Sequence, residues 1–175
     1  MKWVLIAVAA LFLLVALMAV AGAMLPKGHV ASVRAKFRAA PAAVFSVVTD
    51  YAKLAEWRSD VKQVEMLPPT EGRATYREIG KNGKITYEIV ECVEPGRLKA
   101  RIADKNLPFG GTWTWRIEPS ADGCSVTITE DGEVYNPLFR FLSKYVFGQT
   151  GTMDAYLRAL GRKFGEDVAP EVVSA

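Results

Sequence analysis

A long amphipathic stretch near the C-terminus, Asn136 to Phe164, sets the first constraint on the fold. At about 100° per residue, Leu138, Leu142, Tyr145, Met153, Tyr156 and Leu160 share one stripe. Arg140, Lys144, Arg158 and Arg162 fall opposite. Asn136 is a capping residue, and Pro137 suits a first helical turn, where no backbone donor is needed. The spacing predicts one long helix that must lay its apolar face on something. Gln149 and Thr152 lie inside the apolar stripe. A polar group there needs a partner across the core, a water or a ligand in a cavity under the helix.

The segments before this helix alternate. Val61 to Leu67 is a strand ended by Pro68-Pro69, and Arg73 to Ile79 follows. Lys81-Asn82-Gly83 then turns the chain, Asn-Gly being a strong hairpin signal. Ile85, Tyr87 and Ile89 share one face of the next strand, and Leu98, Ala100 and Ile102 one face of another. After a loop from Asp104 to Gly111, Trp113, Trp115 and Ile117 line one side of Thr112 to Glu118. Cys124 to Tyr135 is the last strand, and it feeds into the long helix. Upstream, His29 to Arg38 alternates, with Ala31, Val33, Ala35 and Phe37 on its apolar side. Pro41 to Val48 and Tyr51 to Trp57 read as two short helices. The expected fold class is α+β, a curved antiparallel sheet covered by one helix with a cavity between them.

Trp3 to Leu25 carries no charged residue, enough to span a bilayer as a helix. The rival reading is a cleaved signal peptide with Ala21-Gly22-Ala23 as its small-residue site. The apolar run exceeds a signal core of roughly 7–15 residues and favours a retained anchor. Lys27, Arg34, Lys36 and Arg38 follow the span while Lys2 precedes it, which favours a cytoplasmic domain.

The net charge of +3 is spread among acids, with no basic stripe interleaved with aromatics, so nucleic acid is not an expected partner. Cys92 and Cys124 have no CxxC spacing, and neither a metal nor a cofactor is implied. His29, the single histidine, falls where anchor meets domain and reads as a solvated interfacial residue. That removes Ser-His-Asp and Cys-His catalysis.

The run Pro41-Ala-Ala-Val-Phe-Ser-Val-Val-Thr-Asp-Tyr-Ala-Lys-Leu-Ala-Glu-Trp57 resembles the opening of the START-like, helix-grip (SRPBCC) superfamily. Gly110-Gly-Thr-Trp-Thr-Trp and Thr127-Ile-Thr-Glu-Asp-Gly-Glu-Val-Tyr-Asn-Pro137 resemble its last hairpin. The similarity extends from about His29 to Phe164 and points to the polyketide cyclase and lipid-transport branch. It implies about seven strands gripping the last helix over a hydrophobic cavity, and it supplies no universal catalytic residue. Domain limits follow: an anchor over 1–26, a helix-grip domain over 28–167 and a tail over 168–175. The implied sheet order separates Cys92 from Cys124 by two strands, too far for a disulfide.

The expected ligand is a hydrophobic small molecule or lipid. Trp57, Tyr76, Tyr87, Trp113, Trp115, Tyr145 and Tyr156 are candidate aromatic lining. Gln149, Thr152 and Glu130 are candidate polar contacts. Continued alternation from Cys124 through Ile128 turns Glu130 toward the apolar face, where a carboxylate could act as acid or base; a bulge at Gly132 would turn it out. A cyclase or aromatase-like enzyme, and an interaction module with a filled cavity, are the alternatives.

Overall fold

Eight strands form one antiparallel sheet in a computed structural model that describes residues 1–174. They are β1 (Gly28–Phe37), β2 (Val61–Thr70), β3 (Arg73–Gly80), β4 (Gly83–Val93), β5 (Arg97–Ile102), β6 (Phe109–Ser120), β7 (Gly123–Val134) and β8 (Glu171–Val173). The order is β2-β3-β4-β5-β6-β7-β1-β8. Strands β2 to β7 are a meander, each paired with the next. Strand β1 pairs along its whole length with β7, from Gly28 opposite Glu133 to Phe37 opposite Cys124. The two helices after β1, α2 (Pro41–Thr49) and α3 (Leu54–Trp57), therefore carry the chain across one end of the sheet to its far edge. Val44, Phe45, Val48 and Leu54 are buried there.

Two details differ from the expected strands. Strand β2 continues through Pro68-Pro69 to Thr70, with a register shift after Leu67. It is an edge strand, so the prolines' missing N–H groups leave no partner unsatisfied. The expected tail supplies an eighth strand: Val172 pairs with Val33, and Arg34 bonds Glu171 at 2.8 Å. Ala175, the last residue of that tail, lies outside the described residues.

The expected single C-terminal helix is broken. It runs as α4 (Pro137–Leu142), a π-helical turn (Ser143–Phe147) and α5 (Gly151–Lys163). Asn136 caps α4 as expected, accepting from the amides of Leu138 and Phe139 at 2.9 and 3.2 Å. The break is at Gly148, with φ 76° and ψ 167°, a conformation essentially confined to glycine. Helix α5 buries Met153, Tyr156, Leu157 and Leu160 in the concave face and leaves Arg158 outside, as the periodicity predicts.

The first piece does not follow the pattern. Phe139, Tyr145, Val146 and Phe147 are exposed, and Arg140 is buried. Helix α1 (Lys2–Ala23) is the reason. Its last turn packs on α4 so closely that Gly22 has no room for a Cβ against the Pro137 carbonyl. Arg140 donates to the carbonyls of Gly22 (3.2 Å), Leu25 (3.0 Å) and Tyr135 (3.0 Å). A cation at a helix C-terminus answers carbonyls that have no intrahelical partner. Residues 2–17 of α1 are exposed.

Cys92 in β4 and Cys124 in β7 have β5 and β6 between them and are free thiols.

Candidate ligand cavity

Alternation in the strands and the broken helix together shape the cavity. Facing pairs bring Tyr76 opposite Tyr87, Glu78 opposite Ile85, and Trp113 opposite Glu130. These side chains share the concave face with Tyr156 of α5. The cavity has two compartments that share Asn82, Ile85, Tyr87, Trp113 and Thr152.

The inner compartment is nearly filled, with about 50 Å³ of open space. Its walls are aromatic. Tyr76 stacks on Tyr51 at 4.7 Å and on Tyr87 at 5.4 Å between centroids. Tyr156 meets Trp57 at 5.3 Å, Trp115 at 5.7 Å and Trp113 at 6.2 Å. Burial pushes the hydroxyl pKa of Tyr76, Tyr87 and Tyr156 well up, so all three stay protonated donors. The Trp115 Nε1 is buried without an acceptor.

One charged cluster closes this compartment, and sequence reasoning missed it. Arg58 reaches Glu78 and Asp60, each at 2.6 Å, and lies 5.1 Å from the Tyr156 ring centroid. Burial works against the Arg58 charge, but the two carboxylates outweigh it. Glu78 is raised: burial outweighs the attraction of Arg58. Asp60 is more open, and its bonds to Arg58 overcome burial and lower it. The available signal was the phase of β3, which sets Glu78 on the face of Tyr76.

The outer compartment holds about 480 Å³ and forms the mouth. Ile102, Pro108, Phe109, Phe139 and Phe147 give it apolar walls, while Glu130, Gln149 and Thr152 bring polar groups. The β6–β7 register is unbroken through Gly132, so Glu130 keeps the inward direction that alternation predicts. Tyr145 does not join these residues. It lies beyond the Gly148 break on the outward side of the π-helical turn, exposed.

His29 corrects its expected place. It lines the mouth, with Nε2 3.7 Å from Glu130 Oε1 and only 14% of its side chain exposed. Strand β1 sets it opposite Gly132, and a Cβ on Gly132 would collide with the imidazole and with Glu130. The signal was present in the alternation, since His29 shares the phase of Ala31, Val33 and Phe37. Among the described residues no cluster of side chains suits a metal ion.

Residues 29–165 match the family described as polyketide cyclase/dehydrase and lipid transport. The chain belongs to that family. Norcoclaurine synthase from Thalictrum flavum is similar in structure, with a TM-score of 0.60 at 11% identity over 80% of this chain and 89% of that one. A START superfamily protein from Mycobacterium smegmatis gives 0.59 at 16% identity, over 78% of this chain and 95% of its own. The di-domain ARO/CYC StfQ of the steffimycin pathway gives 0.57 at 14% identity, over 75% of this chain and 50% of that chain. These likenesses establish the START-like helix-grip fold. No curated protein matches the sequence.

Proposed function

We propose that this family member binds a hydrophobic small molecule or lipid in the outer compartment and is held at a membrane by α1. The observation that carries the reading is the mouth itself. Its 480 Å³ falls within the roughly 300–1,000 Å³ of small-molecule sites, and apolar residues make up most of its lining. The inner compartment is too full for more than water or the tip of a ligand. Apolar burial would supply the affinity, with Gln149, Thr152, Glu130 and His29 fixing orientation. Tyr87 and Trp113 form the wall between the two spaces.

Helix α1 supports the membrane part of the reading. Its most apolar 18-residue stretch has a mean hydropathy of 3.1, and its 22 residues make a rod of about 33 Å, against a hydrocarbon core of about 30 Å. The balance of basic residues favours the cytoplasmic side for the domain.

A second reading, a cyclase-like enzyme, is favoured by the His29–Glu130 pair. An imidazole beside a carboxylate in a cavity wall can take and return a proton. The Trp113–Glu130 pairing would put that chemistry against an aromatic wall suited to a flat substrate.

Native mass spectrometry of the detergent-solubilised full chain tests the first reading. A co-purified lipid or metabolite that leaves on displacement by a fatty acid is the expected result. A chain of apo mass that neither carries nor takes up any apolar ligand would overturn it.

A further inference from the structure

The segment from Pro137 to Phe147 exposes Phe139, Tyr145, Val146 and Phe147 together, about half or more of each residue. These are the largest apolar groups in one run outside α1, and no element among the described residues covers them. Their position is fixed rather than loose. Arg140 ties the segment to the Gly22 and Leu25 carbonyls, at the point where α1 ends.

Beside them runs a second groove of about 260 Å³, lined by Lys27, Arg140 and Lys144, with no carboxylate among its described lining residues. It shares His29, Val134, Ser143 and Gln149 with the cavity mouth. Cations, exposed aromatics and the end of an apolar helix thus lie at one level. That is the order of groups met on leaving a bilayer: hydrocarbon, aromatic interface, anionic phosphate.

We propose that Pro137–Phe147 lies in the headgroup layer of the bilayer that α1 spans, and that the cavity mouth opens onto that layer. The ligand then moves between leaflet and cavity without crossing water, its source being the membrane. Lys27 and Lys144 meet lipid phosphates, while Tyr145 and Val146 dip toward the acyl boundary. Phe139 and Phe147 reach from that surface into the mouth. The proposal rests on α1 being a membrane anchor and the mouth being a ligand site.

The test uses the full chain, reconstituted in phosphatidylcholine–phosphatidylglycerol vesicles. Cys92→Ser removes the exposed thiol, and Cys124 is buried. Single cysteines carrying an environment-sensitive fluorophore go in as Val146→Cys, Leu11→Cys and Asp122→Cys. Asp122 stands in the turn just before β7, at its far end, about 40 Å from Val134 by strand length. Nitroxide-labelled lipids should quench the probes at 146 and 11, and leave 122 to aqueous iodide.

The pair Tyr145→Asp and Val146→Asp, neither of which lines the cavity, should slow uptake of anthroyloxy-stearate from donor vesicles about tenfold. Its affinity in detergent should stay unchanged. A probe at 146 reached by iodide and not by lipid nitroxide, with 11 still quenched, overturns the proposal and spares the anchor. Loss of quenching at 11 overturns both. Absence of stearate binding in detergent defeats the ligand-site reading, while quenching at 146 still decides where the segment lies.

Discussion

Helix α5 and the α4–π segment come from one continuous amphipathic pattern, yet they end in opposite environments. In α5 the stripe of Met153, Tyr156 and Leu160 is buried against the sheet. In the preceding segment Tyr145, the same stripe's next member, is exposed, and Arg140 from the polar side is buried. Periodicity states which side chains share a face. It does not state what that face meets. Gly148 separates the two halves, so the stripe serves the domain core after the break, while before it the side carrying Pro137, Arg140 and Phe141 meets the end of α1.

Truncation should show the contrast most strongly. Leu157 is fully buried, and Leu157→Ala should cost about 3 kcal/mol in denaturant unfolding of the solubilised full chain. Val146→Ala, on the exposed half, should stay within about 0.5 kcal/mol. Equal costs at the two sites would erase the distinction.

The charged cluster at the closed end of the cavity gives the next effect. Arg58→Met leaves Glu78 and Asp60 without their counter-ion and should cost about 3 kcal/mol near neutral pH. The pH dependence of the unaltered protein has two opposite parts. Glu78 is raised above its ordinary 4.5, so its contribution is fully favourable below that value and is lost as pH rises through the folded value. Asp60 is lowered from 3.8, so its contribution is present above that value and is lost as pH falls. Glu78→Gln should therefore remove the loss on the alkaline side of 4.5 and leave the acid-side loss in place. Melts across pH would show a fault in this assignment if the variant and the parent ran parallel.

Gly148→Ala sharpens the comparison at the break itself. The φ of 76° and ψ of 167° should cost an alanine about 1–3 kcal/mol. Hydrogen exchange should change in residues 143–151 and hardly at all in the later turns of α5.

The helix-grip architecture was legible because its signals are local. The Asn-Gly turn, the shared face of Trp113 and Trp115, the Pro41 helix start and the inward phase of Glu130 each hold in the structure. The features that escaped are those made by partners distant in sequence. Arg140 looks solvated until α1 meets α4, 118 residues away along the chain. Arg58 and Glu78 meet only when α3 closes over β3. The eighth strand depends on the free edge of β1, which no pattern in residues 168–175 announces. His29 was legible in the alternation, but its setting depends on the missing side chain of Gly132 across the β1–β7 pair.

Gln149→Leu is the mildest change. It removes a half-buried amide, so stability should hold or rise slightly, while stearate affinity should fall by about 1 kcal/mol.

The central claim, that the space under the break is a ligand site, is tested most directly by Thr152→Trp. Thr152 borders both compartments and its side chain is free to enlarge into the mouth. Displacement of anthroyloxy-stearate is measured beside a thermal melt of the same sample. The expected result is loss of probe binding with the melting temperature preserved. Probe binding equal to the parent's, at a preserved melting temperature, would show that the ligand does not occupy this cavity.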